Sequence, residues 1–124
     1  MIFIFWGVFS CSGAVHAQVH GEIIVCLKSG NAKALSDYFN QNVELVVLDN
    51  DNVYSKAQAQ QIVGNFFSSH SPEQFTVIHQ GGRQDARYVI GTLKTRNGRF
   101  RVYFLLKENE DRSYIHQLRI EKQE

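Results

Sequence analysis

The sequence predicts an α+β fold in which helices lie against one face of a twisted antiparallel sheet. Three features carry the prediction. Apolar residues recur at three- and four-residue spacing in segments 19–27, 34–39 and 55–67; Pro72, the single proline, closes the last of these; and alternation of apolar and polar residues governs the chain from 86 to 122.

Composition bounds the rest. A chain of 124 residues is one domain at most, and 44% hydrophobic with 12% aromatic residues suffices for a packed core. One proline and nine glycines exclude collagen, coiled coil and low-complexity arrays. Thirteen Lys and Arg stand against twelve Asp and Glu, a formal net charge of +1. That balance creates no global field to hold a polyanion, so no specific nucleic-acid partner is expected, and an anionic partner would have to meet a local basic patch.

Met1 to Val8 are apolar except for Gly7, small and polar residues follow, and Val15-His16-Ala17 places small residues at the minus-three and minus-one positions before Gln18. The pattern predicts a secretory signal peptide over residues 1–17 and one mature domain over residues 18–124, periplasmic or secreted. The apolar run is too short to span a bilayer, so no transmembrane helix is expected. No Lys or Arg precedes Lys28, and a natural start further upstream would supply the missing positive segment. Two alternatives compete. One is a lipoprotein signal, with Val8-Phe9-Ser10 ahead of a lipid-bearing Cys11, although the central Phe fits poorly. The other is a folded core helix in which Trp6 and three phenylalanines pack. Cleavage leaves Cys26 as the one thiol, in an apolar helical stretch, which predicts a buried structural cysteine and no internal disulfide.

Val19, Ile23, Ile24, Cys26 and Leu27 define the first mature helix, which Gly30 stops; Ala34, Leu35, Tyr38 and Phe39 define a second after Asn31. Residues 43–48 are β-rich, and Asp49-Asn50-Asp51-Asn52 predicts a turn. A third helix opens at Ser55, where Ser55 and Gln58 have capping-box spacing, and Ala59, Ile62, Val63, Phe66 and Phe67 form its apolar stripe. Four strands complete the chain, near 74–80, 86–96, 99–107 and 114–122.

Asn97-Gly98 suits a two-residue type I′ turn, and that turn fixes a register. Arg96 then faces Arg99, Lys94 faces Arg101, Thr92 faces Tyr103 and Ile90 faces Leu105. Val89, Gly91, Leu93, Phe100, Val102, Phe104 and Leu106 share the other face, which must be the core side. In the last strand, opposite charge favours Glu121 against Arg101; this brings Arg119 to Tyr103 and turns Leu118 and Ile120 inward.

The order helix, helix, strand, long helix, then four strands resembles the nuclear transport factor 2-like, or cystatin-like, superfamily, a cone of N-terminal helices on a twisted sheet. More narrowly, Asn31-Ala32-Lys33-Ala34-Leu35, Tyr54-Ser55-Lys56-Ala57-Gln58-Ala59, Gly91-Thr92-Leu93, the run Arg101 to Lys107 and the run Gln117 to Lys122 resemble a family of short exported bacterial proteins that is a domain of unknown function. The resemblance spans essentially the whole mature chain. It implies a fold and an exported Gram-negative setting, with no assigned reaction. Enzymes of the superfamily, such as ketosteroid isomerases, carry a proton-shuttling carboxylate in a Val-Glu-Asp pattern. This chain has Val43-Glu44-Leu45, so Leu45 stands where the shuttle would be and Glu44 alternates outward, which argues against that mechanism.

Continuing the two registers across the inner face places Tyr114 opposite Glu108, Glu108 beside Arg87 and His79 beside Arg87, with His116 one row deeper. Such a rim on an otherwise apolar cone cavity is expected to bind a small amphipathic or anionic ligand without turnover, Arg87 serving as charge partner and His79 or His116 as a tunable donor. A self-satisfied edge network is one alternative; a small-substrate isomerase or hydrolase using His79, His116 or Glu108 as acid or base is the other. On the outer face Lys94, Arg96, Arg99 and Arg101 crowd the hairpin tip, and Tyr103, Leu105 and Ile90 continue it as an apolar strip with Arg119 alongside. This surface is expected to meet an acidic partner or to form a homodimer sheet against sheet, unless it is simply a solvated hairpin. Gln61-Ile62-Val63-Gly64 resembles a cystatin inhibitory loop but lies within a helical stripe, and Gly81-Gly82-Arg83 reads as a hairpin turn rather than an anion cradle. His20, His70, His79 and His116 are scattered, so no metal and no cofactor is expected.

Overall fold

A computed structural model describes residues 14–123, with side chains from Val19 onward. The expected leader, with Cys11, lies outside the described residues apart from Ala14 to Ala17, which open the first helix. The elements are α1 (Ala14–Ser29), α2 (Ala32–Ser36), β1 (Phe39–Val47), β2 (Asn50–Ser55), α3 (Lys56–Ser69), β3 (Pro72–Arg83), β4 (Ala86–Thr95), β5 (Gly98–Asn109) and β6 (Arg112–Lys122). Six strands form one sheet in the order β2-β1-β6-β5-β4-β3. All neighbours are antiparallel except β1 and β6, which run parallel, so the sheet is mixed rather than wholly antiparallel. Among the described residues no helix is long and apolar enough to cross a membrane.

The helix ends follow local chemistry. Gly30, at φ +71°, ends α1, and Asn31 caps α2 by accepting a hydrogen bond from the Ala34 amide at 2.9 Å. Ser55 and Gln58 form a complete capping box at the start of α3. Two elements depart from expectation. Phe39 leaves the second helix and opens β1, where it is fully buried. The stretch Asn50 to Val53 is a strand rather than a turn; it is an edge strand exposed throughout, so no buried face imprints alternation on it. The reversal moves to Leu48 and Asp49, with Leu48 at φ +55°. Gly81-Gly82-Arg83 likewise belongs to the end of β3, and the turn falls at Gln84 and Asp85.

The β4–β5 hairpin closes two residues away from the expected register. Thr95 faces Gly98, Lys94 faces Arg99, Thr92 faces Arg101, Ile90 faces Tyr103 and Tyr88 faces Leu105. Arg96 and Asn97 make the turn, and neither has the positive φ of a type I′ turn. The cause is tertiary. The Asn97 side-chain amide donates to the Ser69 carbonyl at 3.2 Å, and the Arg96 amide donates to the Ser71 carbonyl at 2.9 Å, tying the turn to the chain that leaves α3.

A slide of two residues preserves alternation, so the sidedness stands. Val89, Leu93, Phe100, Val102, Phe104 and Leu106 are all buried, and Leu118 and Ile120 point inward beside them. Arg101 faces Glu121 and Tyr103 faces Arg119, as expected. Ile23 and Leu27 of α1, Leu35 of α2 and Val63, Phe66 and Phe67 of α3 cover this face. Each large apolar side chain so buried contributes roughly 1.5–3 kcal/mol, and together they hold the helices to the sheet.

Candidate functional site

Two β-bulges decide where the expected rim residues go. On β3 the register steps between Val77, opposite Gly91, and His79, opposite Ile90; Ile78 is the extra residue and is 63% exposed. The step turns His79 to the outer face, where its Nε2 lies 3.0 Å from the Tyr88 hydroxyl. On β6, Leu105 faces Gln117 but Leu106 faces Ile115, so His116 is the extra residue. Tyr114 consequently faces Lys107 rather than Glu108, and Glu108 faces Ser113. Arg87 faces Leu106 and Gly82 in place of Glu108 and His79. His79 and Tyr114 leave the inner face, so the five residues do not converge; Arg87 keeps its expected place there, and Glu108, two residues beyond Leu106, stays on the same face at its exposed end. His116 Nε2 is buried without a hydrogen-bond partner among the described residues. Burial first, and the Lys107 charge second, lower its pKa from the ordinary 6.5, so the ring is neutral at pH 7.

Around Arg87 the structure assembles a different set. Arg87 of β4, Gln80, Gly81 and Gly82 of β3 and His20 of α1 line a cavity of about 150 Å³. Gly82 is required there: at φ +103° a Cβ would stand 2.3 Å from the Ala86 carbonyl oxygen and 2.9 Å from Arg87 Cα. The His20 ring meets Phe104 edge to face at a centroid distance of 6.4 Å, which seats α1 over this end of the sheet. Arg87 Nε is buried and has no hydrogen-bond partner among the described residues. Leaving such a donor unmet costs about 1–3 kcal/mol. His20 is the contributor that sequence reasoning missed; its helical spacing to Ile23 and Leu27, both fully buried, is the signal that places it on the sheet side.

The outer face reads as rows across all six strands. One row runs Asp51, Val46, Arg119, Tyr103, Ile90, His79; the next runs Val53, Glu44, Gln117, Leu105, Tyr88, Gly81. Tyr88 and Tyr103 stack at 6.2 Å with an interplanar angle of 28°, and the Tyr88 ring lies over Gly81. Glu44 points outward and accepts from Gln117 Nε2, while Leu45 is fully buried at the position a shuttle carboxylate would need. Carboxylates of Glu44 and Asp51 mark the β1–β2 end, beside a cavity of about 310 Å³ that Arg119 also lines. Lys94, Arg99 and Arg101 are exposed toward the hairpin end, and Arg96 is exposed in its turn. Lys94 lies 4.0 Å from Glu73 and Arg119 lies 3.2 Å from Glu121, half-exposed pairs of small energetic weight. No group of three or more metal-ligating side chains forms among the described residues.

Helices that cover one face of a six-stranded sheet whose β1–β6 pair alone is parallel define an α+β domain of the nuclear transport factor 2-like and cystatin-like kind. The chain belongs to the family described as Domain of unknown function (DUF4783), which it matches over residues 20–121. It is similar to a DUF4783 family protein from Bacteroides uniformis, at 35% identity and a TM-score of 0.82, covering 86% of this chain and 98% of that one. A second such protein, from Bacteroides ovatus, shares 37% identity at a TM-score of 0.79, covering 83% of this chain and 94% of that one. A cystatin-like domain of unknown function from Nostoc punctiforme shares the fold at 7% identity and a TM-score of 0.70, covering 94% of this chain and 80% of that one. No curated protein shows significant similarity to the chain.

Proposed function

We propose that this chain is an exported, non-catalytic binding domain that holds a small anionic ligand, a carboxylate above all, at the Arg87 end of its inner face. The observation that carries the reading is Arg87 Nε, buried and without a hydrogen-bond partner among the described residues, at a cavity of about 150 Å³. That volume lies below the roughly 300–1,000 Å³ of sites for drug-sized molecules. The occupant is therefore an anion of a few heavy atoms, or the carboxylate end of an amphipathic molecule whose body lies outside. His20 and Gln80 offer further polar contacts to the same space. The apolar Met1 to Val8 run and the small residues before Gln18 support an exported setting, with cleavage after Ala17. A hydrolase or isomerase has less support, because His79, His116 and Glu108 do not gather around one reacting centre.

Calorimetric titration of the purified protein with acetate, propionate and succinate tests the reading. Saturable binding is expected, weakened about tenfold or more by Arg87→Ala and less by Arg87→Lys, since a hydrogen bond to a charged group contributes about 1.5–3 kcal/mol. Affinity unchanged in a folded Arg87→Ala protein refutes it, and turnover of a panel member supports the enzymatic alternative. A second reading has its own observation: the half-buried Tyr88–Tyr103 stack lies between an acidic end and a basic end, so a two-fold related copy would set Glu44 and Asp51 against Arg99 and Arg101. Sedimentation equilibrium is expected to show a dimer that Tyr103→Lys dissociates; a monomer at high concentration argues against this interface.

A further inference from the structure

A second cavity lies elsewhere, on the solvent side of the two N-terminal helices. A groove of about 610 Å³ runs between Gly21, Glu22, Val25 and Cys26 of α1 and the segment from α2 to Tyr38, with Asp37 at its edge. We propose that this groove binds a cationic amphiphile, a small molecule with an apolar body and an amine head. The site is independent of the Arg87 reading, since it lies on other residues and selects the opposite charge.

Apolar surface is the first argument. Val25 is 60% exposed, although α1 buries Ile23 and Leu27 on its other side, so an apolar wall faces the opening. Gly21 leaves the neighbouring turn bare: among the described residues nothing lies within 4 Å of the position a Cβ would occupy. The volume falls within the roughly 300–1,000 Å³ of small-molecule sites. Charge is the second argument. Glu22 and Asp37 are the charged residues of the lining, and both are carboxylates. The Tyr38 hydroxyl donates to Glu22, which holds that carboxylate at the rim beside an aromatic ring able to contact an ammonium. Both charges are felt at the floor: after the larger effect of burial, Glu22 and then Asp37 push the Cys26 thiol upward. An apolar body in the groove thus leaves its head group in a negative field, where an amine is favoured and a carboxylate is repelled.

Dansylcadaverine, an apolar fluorophore on a primary amine, is the probe, and dansylglycine is its anionic counterpart. The purified protein is expected to bind the amine at least about tenfold more tightly than the acid, with salt weakening only the amine. Glu22→Gln and Asp37→Asn should each weaken the amine about threefold, the scale of an exposed ion pair. Gly21→Leu fills the open space while improving helix propensity, so it keeps the fold and is expected to lower affinity for the amine at least about tenfold. Equal affinity for the two probes, binding indifferent to Gly21→Leu, or no saturable binding of the amine overturns the proposal.

Discussion

Gly91 stands in the interior of β4 on the core face, between Val77 of β3 and Val102 of β5. A Cβ at that position would lie 2.4 Å from Phe75 Cζ and 2.7 Å from the Thr76 carbonyl oxygen. The ring can move; the carbonyl belongs to the paired strand and cannot without disturbing the ladder. Gly91→Ala therefore sets two effects against each other. Restricting the unfolded chain favours alanine by about 0.4–1 kcal/mol. Overpacking opposes it by about 1–3 kcal/mol, and displacing Phe75 from the inner face sacrifices part of the roughly 1.5–3 kcal/mol of its burial. The clash wins, and the variant should lose about 2 kcal/mol, which for a domain of this size lowers the melting temperature by about 8 °C. Urea and thermal unfolding followed by circular dichroism measure the change. Phe75→Leu in the same chain should relieve the ring's part of the clash while the Thr76 carbonyl contact remains, leaving a coupling of about 1 kcal/mol in the double-mutant cycle. A Gly91→Ala protein at least as stable as the parent, or strict additivity with Phe75→Leu, refutes the reasoning.

Ser55→Ala removes the capping box of α3 and should cost about 1 kcal/mol, seen as a fall of about 4 °C in melting temperature; a fall within error would show that packing alone sets the start of the helix. His116 links stability to pH. The folded protein holds the imidazole neutral below the ordinary 6.5, so the unfolded chain binds more protons there, and stability is full above about pH 6.5 and declines as pH falls through the lowered folded value. His116→Asn should flatten that part of the urea-midpoint profile, and Lys107→Gln, by raising the folded value toward the ordinary one, should shrink the decline and move its low-pH end slightly toward higher pH; an unchanged profile in His116→Asn contradicts the assignment.

The sidedness of the sheet was legible in the sequence because alternation is insensitive to a slide of two residues. Phe100, Phe104 and Leu93 are interior under either hairpin register, and Glu44 and Leu45 take the sides their spacing implies. The turn itself was not legible, because Asn97 is held by Ser69, 28 residues away, and local turn preference does not see that contact. Bulges were more damaging to the site than to the fold. A single extra residue at Ile78 turned His79 outward, and one at His116 carried Tyr114 to Lys107; alternation is broken by one inserted residue where it survives a slide of two. β2 and the parallel β1–β6 pair left no trace in the sequence, the first because every residue of it but Tyr54 is exposed and the second because pairing between distant strands has no local signature. Arg87 kept its place because no bulge interrupts β4 against β5.

The most direct measurement is an ¹⁵N-resolved NMR titration of the guanidinium Nε–H groups with acetate. Occupancy at the inner face predicts that the Arg87 Nε–H signal shifts saturably, in step with the His20 ring, while those of the outer-face Arg99 and Arg101 move only with ionic strength. An Arg87 signal that stays fixed, or that drifts in parallel with the surface arginines, contradicts a carboxylate site beneath α1.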